Sequence, residues 1–370
     1  MRSRSAIPNP KSQTVRPDLR GCSLSGLETL VVAAGEPRYR GRQLFKWIHN
    51  RGASSFEEMT DLPKAFRVRA AEVFGIESLV VAETRLSSDG TIKYRMDTGR
   101  GDFVESVYMP SARRDTLCVS TQVGCAMGCA FCLTGAMRLG RDLSAGEIVD
   151  QVRTVAVDLR ARLHHGGEGP RPPHRRYVSN VVFMGMGEPL KNFEATRDAV
   201  AVLTHPDALG FSTRHVTVST CGLVPEILRF GREVTAKLAV SLNAADDETR
   251  SRLMPINKKY PLADLLSALK RFPLKPGWRI TFEYVLLAGV NDSVTDARRL
   301  VKILSGIPSK VNLIVFNAHP AADFKAPTPE AVAAFHKVLT DKNLSAFVRE
   351  NRGGDVAAAC GQLGRVRDEG

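Results

Sequence analysis

The chain has 370 residues, of which 43% are hydrophobic, so it is longer than one average domain and can bury a full core. No apolar run approaches the roughly 18 residues of a membrane span, and the N-terminus lacks a hydrophobic signal segment, so we expect a soluble, cytoplasmic protein without a membrane partner. The net charge of +13 predicts attraction to a polyanion, for which nucleic acid is the leading candidate and an ordinary cationic surface is the alternative.

The first part of the chain divides into an arm and a helical domain. Residues 1–20 are basic and contain three prolines, which predicts a disordered arm. Residues 21–77 show helical apolar spacing and form a small accessory domain. Its cations alternate with aromatic rings, a pattern that suits RNA, although each ring could instead be core and each cation solvated. This basic and aromatic face comprises Arg38, Tyr39, Arg40, Arg42, Phe45, Lys46, Trp47 and Arg51.

A β-meander and a barrel are predicted next. Residues 78–110 alternate about the turn SSDG and form a β linker. Over 111–345, six apolar strands are each followed by an amphipathic helix, with one helix expected over 246–271. Six such units predict an α/β fold, a parallel sheet curled into a full or partial (β/α)6 barrel. A flexible basic loop at 164–176 interrupts the series, and residues 346–370 form a tail. The strands are DTLCVSTQ, SNVVFMGM, RHVTVST, AKLAVSLN, RITFEYVLL and KVNLIVFN.

Several polar motifs follow the ends of these strands. In a parallel barrel the loops after the strands meet at one mouth, so motifs distant in sequence should converge there. They include the cysteine-rich CVSTQVGCAMGCAFCLTG after the first strand and GMGEP after the second. The remaining residues at strand ends are Ser219, Ser241, Leu242, Asn243 and Asn317.

Seven cysteines in a cytosolic composition argue for metal binding or catalysis and against a disulfide framework. Cys125, Cys129 and Cys132 have the spacing C-x3-C-x2-C on one loop. With Cys118 as a fourth ligand they could form a closed zinc site. Three thiolates on one loop also suit an iron–sulfur cluster with one open iron, and the spacing favours this second interpretation.

The motifs together resemble the RlmN/Cfr family of radical S-adenosylmethionine (SAM) RNA methyltransferases over roughly residues 22–365. The resemblance includes the cysteine loop, VVFMGMGEPLKNF, LMPINKKYPL, EYVLLAGVNDS, NLIVFNAHP, the C-terminal GGDVAAACGQLG and the N-terminal YRGRQLFKWIHNRG. It implies a partial (β/α)6 radical-SAM barrel with a small N-terminal helical domain. It also implies that three cysteines hold a 4Fe-4S cluster whose fourth iron is chelated by SAM, namely Cys125, Cys129 and Cys132.

The resemblance further implies a division of roles among the site residues. Cys360 accepts a methyl group from a first SAM, and a second SAM generates the radical that activates it. Glu105 removes the ring proton of the adenine adduct, and Cys118 releases the product by forming a disulfide with Cys360. Gly187 and Glu188 bind the amino group of SAM. Its ribose and carboxylate are contacted by Ser219, Ser241, Leu242, Asn243 and Asn317.

The implied activity is methylation of adenine C2 in 23S rRNA and in tRNA next to the anticodon. A one-electron donor such as flavodoxin and a thiol reductant for the Cys118–Cys360 disulfide are the implied partners, and we expect a monomer. Asn243, Cys221 and Arg138 depart from the family pattern, so a paralogue with another RNA target is one alternative. Methylation at C8 and a zinc-containing RNA-binding protein without enzymatic activity are the others.

Overall fold

The computed structural model describes residues 16–112, 114–137, 139–165 and 176–364. The N-terminal domain packs its helices around a core that includes Leu27, Leu44 and Phe45, all fully buried. Burial of Phe45 removes it from the basic and aromatic face, because its ring packs inside the domain. Ser23 caps the first helix by accepting a hydrogen bond from the Gly26 N–H. The helices are α1 (Leu24–Ala33), α2 (Tyr39–Phe45, continued by a π-helical turn at Lys46–Asn50) and α3 (Lys64–Val73).

The folded part of the chain begins before residue 21, so the prediction of a disordered arm to residue 20 is wrong at its end. Leu19 and Arg20 are almost completely buried. The Arg20 guanidinium forms an ion pair with Asp150 at 3.2 Å and donates to the backbone of Glu77 at 2.6 Å. These contacts tie the segment to the barrel as well as to the helical domain. Residues 1–15 and the predicted loop residues 166–175 lie outside the described part.

In the described part of the chain, ten strands form one mixed sheet, and two more form a separate ribbon. The strands are β1 (Val80–Leu86), β2 (Ile92–Asp97), β3 (Phe103–Met109), β4 (Thr116–Val119), β5 (Gln122–Val123), β6 (Arg141–Asp142), β7 (Asn180–Phe183), β8 (Val216–Thr220), β9 (Lys237–Ser241), β10 (Ile280–Leu286), β11 (Ser309–Val315) and β12 (Ala346–Arg349). The order in the large sheet is β1-β2-β3-β4-β7-β8-β9-β10-β11-β12. The meander β1 to β3 is antiparallel and joins β4, whereas β4 and β7 to β12 are mutually parallel.

Helices alternate with the parallel strands, which confirms the α/β radical-SAM-type fold predicted from the sequence. They are α4 (Leu133–Ala136), α5 (Ala145–His165), α6 (Phe193–Thr204), α7 (Val224–Glu233), α8 (Asp247–Leu253), α9 (Leu262–Lys270), α10 (Val294–Leu304) and α11 (Pro329–Asp341). Two expectations are corrected. The helix expected over 246–271 is broken because Pro255 and Pro261 each lack the N–H that a continuous helix needs. A seventh parallel strand, β12, lies in the segment that was assigned to the tail.

Side chains alternate across the parallel strands between the helical layer and the barrel interior. On β9, Leu238 and Val240 are buried in the main core, whereas Lys237 lines the interior cavity. On β10, Phe282 is in the core, whereas Thr281 and Glu283 line that cavity. This period of two sends polar side chains into the barrel. Within the described residues, no helix combines the length and apolar character needed to cross a membrane.

Candidate active site

The cysteine loop leaves β4 and is held against the loop after β7. The N–H groups of Thr121 and Gln122 both donate to the carbonyl oxygen of Met186, at 2.8 and 3.2 Å. Farther along the loop, a Cβ added at Gly135 would lie 2.8 Å from the carbonyl oxygen of Cys129, so only glycine permits this close approach. The loop is therefore fixed at both ends and brings its three thiols to the carboxyl end of the barrel.

The thiols have the environment that an iron–sulfur cluster requires. Burial raises the pKa of Cys125 to about 12, and burial also raises the pKa values of Cys129 and Cys132. Backbone N–H groups oppose this effect by donating to the sulfur of Cys125 from Met127 and to the sulfur of Cys132 from Thr134 and Gly135. N–H···S bonds stabilise thiolate ligands and tune the potential of a bound cluster. These residues fit a 4Fe-4S cluster, and loading it would release their protons.

A closed zinc site is not favoured by this arrangement. Such a site needs four ligands around one ion, and Cys118 would have to join the three loop thiols. Cys118 instead interacts with Cys360 and packs with Met186 and Ala358. Among the residues that the structure describes, no three His, Cys, Asp or Glu side chains converge closely enough for a single metal ion. In a cluster each cysteine binds a different iron, so the ligands can lie farther apart.

The GMGEP loop places a buried carboxylate beside the cysteine loop. Glu188 is 4% exposed, and its oxygens accept hydrogen bonds from the N–H groups of Leu190 at 3.0 Å and Cys221 at 2.7 Å. Burial raises the pKa of Glu188, and among the described residues no cation forms an ion pair with it. Gly187 has φ +99°, and a Cβ there would lie 2.6 Å from Gln122 Cβ. Glu188 is thus a buried acceptor that suits an ammonium group.

The polar residues at the ends of β8 and β9 are buried at the same mouth. Ser219 is 8% exposed. Leu242 packs in the core, and its backbone is bonded within the protein, since its N–H donates to the carbonyl oxygen of Glu283 at 3.0 Å. Asn243 is in the left-handed region with φ 57°. Its carboxamide accepts from the Val285 N–H at 2.8 Å and donates to the Met254 sulfur at 3.2 Å. The side chain of Asn243 is therefore bound by the protein itself. Among the described residues, none forms a hydrogen bond with the hydroxyl group of Ser219 or Ser241.

Asn317 and the two remaining predicted cysteines line one cavity. This cavity has a volume of about 380 Å³ and is bounded by Cys118, Cys360, Asn317 and Cys132 of the cysteine loop. Asn317 donates to the carbonyl oxygen of Cys360 at 3.3 Å, whereas its own Oδ1 is buried without a partner and can accept from a ligand. Cys360 opens to the cavity, and the surrounding protein raises its pKa to about 11. Burial raises the pKa of Cys118 still further.

Glu105 lies outside this cavity. It is on β3, where its carboxylate pairs with the Lys93 ammonium at 2.8 Å and accepts from the Gly364 N–H at 2.8 Å. Lys93 also donates to the carbonyl oxygen of Ala357 at 3.0 Å. Tail residues 357–364 therefore separate Glu105 from Cys118 and Cys360 in this conformation. Lys93 was not predicted from the sequence, because a lysine in a strand is normally exposed to solvent. Its alternation with Tyr94 is the one signal that could have indicated that its side chain points into the protein.

Arg250 is a second buried cation that the sequence analysis missed. Its guanidinium, at 0% exposure, donates to three carbonyl oxygens, those of Cys221 at 2.7 Å, Leu242 at 3.1 Å and Ser241 at 3.3 Å. It also donates to the Asn257 side chain at 2.8 Å. Its positive charge favours the ionised form of the Cys129 thiol. Arg250 thus joins the ends of β8 and β9 beside the cysteine loop. Arg138, one of the departures noted above, lies outside the described residues.

Comparisons with known proteins agree with this geometry. A family model described as the ribosomal RNA large subunit methyltransferase N-terminal domain matches residues 17–76, and the radical SAM superfamily matches residues 119–301. The chain is 53% identical over 348 residues to a dual-specificity RNA methyltransferase RlmN of Anaeromyxobacter dehalogenans, covering 94% of this chain and 91% of that protein. It is 51% identical over 346 residues to the protein of the same name from Geobacter sulfurreducens, at 94% and 91% coverage.

A solved structure extends the likeness to three dimensions. The crystal structure of a radical SAM methyltransferase from Sphaerobacter thermophilus matches with a TM-score of 0.84 and 43% sequence identity. The match covers 94% of this chain and 98% of that one, so it extends beyond the barrel. The family implies SAM and a 4Fe-4S cluster as cofactors, in agreement with the thiol environment described above. The chain therefore belongs to the RlmN family of radical SAM RNA methyltransferases.

Proposed function

We propose that the chain methylates C2 of adenine in 23S rRNA, in the peptidyl-transferase region, and in tRNA next to the anticodon. The observation that carries this proposal is the cavity shared by Cys118, Cys360 and the cluster-loop residue Cys132. Adenine C2 is an electron-poor carbon, so direct attack on the methyl group of SAM is unfavourable there. A route in which the methyl carbon is first carried by a protein sulfur avoids this difficulty.

Cys360 is the proposed methyl carrier. When bound, the 4Fe-4S cluster and two SAM molecules per turnover supply the methyl group and an organic radical. Cys360 opens to the cavity and its carbonyl oxygen is held by Asn317, so its side chain is presented close to Cys132. The S-methyl group of Cys360 gives up one hydrogen atom to this radical, and its carbon then forms a bond to C2 of adenine, which joins protein and RNA covalently. The unpaired electron that this addition leaves on the ring passes to a one-electron carrier.

Glu105 is the proposed base that removes the ring proton from this adduct. The buried Lys93 ammonium pairs with the Glu105 carboxylate at 2.8 Å and orients it. The Gly364 N–H occupies Oε2 in the present conformation. Adenine must therefore displace the tail locally before Glu105 can act.

Cys118 is the proposed resolving thiol. Its sulfur attacks the sulfur of Cys360, so that an S–S bond forms, the Cys360–carbon bond breaks and the methylated RNA takes up a proton. Burial raises the pKa of the Cys118 thiol, and the Met184 N–H partly offsets this effect by donating to its sulfur. A thiol reductant then restores both cysteines, and a one-electron donor such as flavodoxin serves the cluster. We expect the enzyme to work in the cytoplasm as a monomer.

The helical domain is the proposed RNA contact. Tyr39 is 57% exposed, and the Arg40 guanidinium lies 5.0 Å from the centroid of its ring. Trp47 and Arg51 form a second such pair at 4.1 Å. Exposed ring and guanidinium planes can stack on unpaired bases. Arg42 and Lys46 both contact Asp207, at 2.6 and 3.4 Å, so they link this domain to the barrel and are weaker candidates for phosphate contacts.

Mass spectrometry of modified nucleosides tests the proposal. RNA from a deletion strain should lack 2-methyladenosine at the 23S rRNA and tRNA positions, and the intact gene should restore it. A gene encoding Cys360→Ser should leave both positions unmethylated, whereas Cys22→Ser, which changes a thiol far from the cavity, should restore them. The appearance of 8-methyladenosine instead would replace the C2 assignment by C8. Full methylation of only one RNA would restrict the substrate to that RNA.

A further inference from the structure

The barrel floor, at the amino ends of the parallel strands, is polar and cationic. The cavity that begins at Cys118 and Cys360 continues down the barrel to Lys237, the first residue of β9, and Lys310, the second residue of β11. Lys237 lies four residues before Ser241, so the floor is roughly 13 Å from the catalytic mouth at about 3.3 Å per residue. This end of the cavity belongs neither to the thiol site nor to the predicted SAM contacts.

The floor carries an excess of positive charge. Arg114, which lies two residues before β4, lines it together with Lys237 and Lys310. Burial and then the charges of Lys310, Arg114 and Arg214 lower the pKa of Lys237. Burial lowers the pKa of Lys310 too, with Arg349, Arg279 and Arg114 adding to the effect. Lys237, Lys310 and Arg114 are therefore held close enough to repel one another.

Counter-charge within the protein is scarce at this position. Among the described residues, no carboxylate lies within 4.0 Å of the Lys237 or Lys310 ammonium group. Glu283 lines the same cavity and is the nearest opposing charge to Lys310, but it is hydrogen-bonded by the Asn312 amide at 2.8 Å. Burial raises the pKa of Glu283, which favours its neutral form. A bound anion would remove the repulsion that the protein leaves uncompensated.

Hydroxyl groups stand beside the two lysines. In the sheet register Thr281 is opposite Lys310, and Thr217 is opposite Lys237. Both threonines line the cavity. Ammonium groups flanked by hydroxyl donors are suited to the several oxygens of a phosphate group, which accept strong charge-assisted hydrogen bonds. Chloride, with a single charge and no fixed geometry, would use these donors less well.

We propose that the floor of the barrel binds a phosphoryl anion through Lys237 and Lys310, assisted by Arg114. The anion is inorganic phosphate or the phosphate group of a nucleotide. Binding would stabilise the lower half of the barrel beneath the catalytic cavity. This site is independent of the proposed methylation chemistry, and it requires neither cluster nor SAM.

Calorimetric titration of the full-length protein with inorganic phosphate, at constant ionic strength in chloride, tests the proposal. The native protein should bind one phosphate per chain, and Lys237→Gln combined with Lys310→Gln should weaken binding by at least about tenfold. The matched control, Lys302→Gln combined with Lys342→Gln, removes two exposed charges elsewhere and should bind phosphate like the native protein. Equal affinity in the floor variant, or an equal loss in both variants, would overturn the proposal.

Thermal unfolding separates loss of the site from loss of the fold. Without phosphate the floor variant should unfold at or above the native midpoint, because two mutually repelling charges have been removed. Phosphate should raise the native midpoint but leave that of the floor variant unchanged. If the double variant does not fold, Lys310→Gln alone must show weaker phosphate binding for the proposal to stand. Competition with a short RNA oligonucleotide shows which phosphate the site binds. If phosphate displaces the oligonucleotide, the site binds the RNA backbone. If both bind at the same time, the site binds a free phosphate.

Discussion

Replacement of Arg250 by methionine should destabilise the barrel mouth severely. Three buried carbonyl oxygens, of Cys221, Ser241 and Leu242, would lose their charged donor. Each unsatisfied group costs about 1–3 kcal/mol, and removal of the buried charge offsets part of this cost. A loss of about 3–5 kcal/mol in the free energy of unfolding is therefore expected. The Asn257 amide would also lose its 2.8 Å partner and loosen the segment between α8 and α9.

Urea unfolding of the purified protein measures this loss. At a slope of about 3 kcal/mol per molar, the midpoint of Arg250→Met should fall by about 1 M or more. Arg252→Met is the matched control, because Arg252 is exposed on the same helix and its replacement should change stability by less than about 0.5 kcal/mol. Iron content after anaerobic reconstitution should fall in the first variant only. A midpoint for Arg250→Met within 0.3 M of the native value, taken as about 1 kcal/mol, would refute the reasoning.

The remaining predictions concern the thiols. Alanine at any one of Cys125, Cys129 and Cys132 should abolish reductive SAM cleavage and lower the iron content. Normal cleavage in any of these single variants would contradict the cluster assignment. Cys118→Ala should accumulate a nuclease-sensitive protein–RNA adduct on a denaturing gel, as should Glu105→Gln, whereas Cys360→Ala should form neither adduct nor methylated RNA. Because the pKa of Cys360 is raised to about 11, its alkylation by iodoacetamide, followed by mass spectrometry, should be slow at pH 7 and accelerate about tenfold per pH unit up to about pH 11. A plateau near pH 8.5 would contradict that shift.

The barrel could be predicted from the sequence because its strands are short apolar runs, each followed by an amphipathic helix. The parts of the fold that were predicted wrongly have physical causes. The strand β12 was missed because three of its four residues are exposed, so it lacks the apolar alternation of the others. The segment with Leu19 was assigned to the arm because nearby prolines suggested disorder, although Pro17 accepts a sheet-like hydrogen bond from the Gly75 N–H at 3.0 Å.

The candidate site was predicted from motif spacing, whereas its supporting cations were not. Lys93 and Arg250 are buried, but lysine and arginine are usually exposed, and a single sequence does not show which are not. The separation of Glu105 from Cys118 and Cys360 was also unpredictable, because it depends on how the tail packs. The side-chain bonds of Asn243 depend in the same way on β10, forty residues later in the chain.

The strand order has a consequence for synthesis of the chain. Parallel strands that follow one another in the sheet in chain order can be added one at a time at a growing edge as the polypeptide emerges. The cysteine loop emerges early, but it is held by a hydrogen bond from the Ala130 N–H to the carbonyl oxygen of Leu253 at 2.9 Å. At about 5–20 residues per second, the interval between these two residues lasts roughly 6–25 s. During that time the three thiols are unprotected, so cluster insertion should follow translation past Leu253, as radioactive iron incorporated into stalled nascent chains of increasing length would reveal.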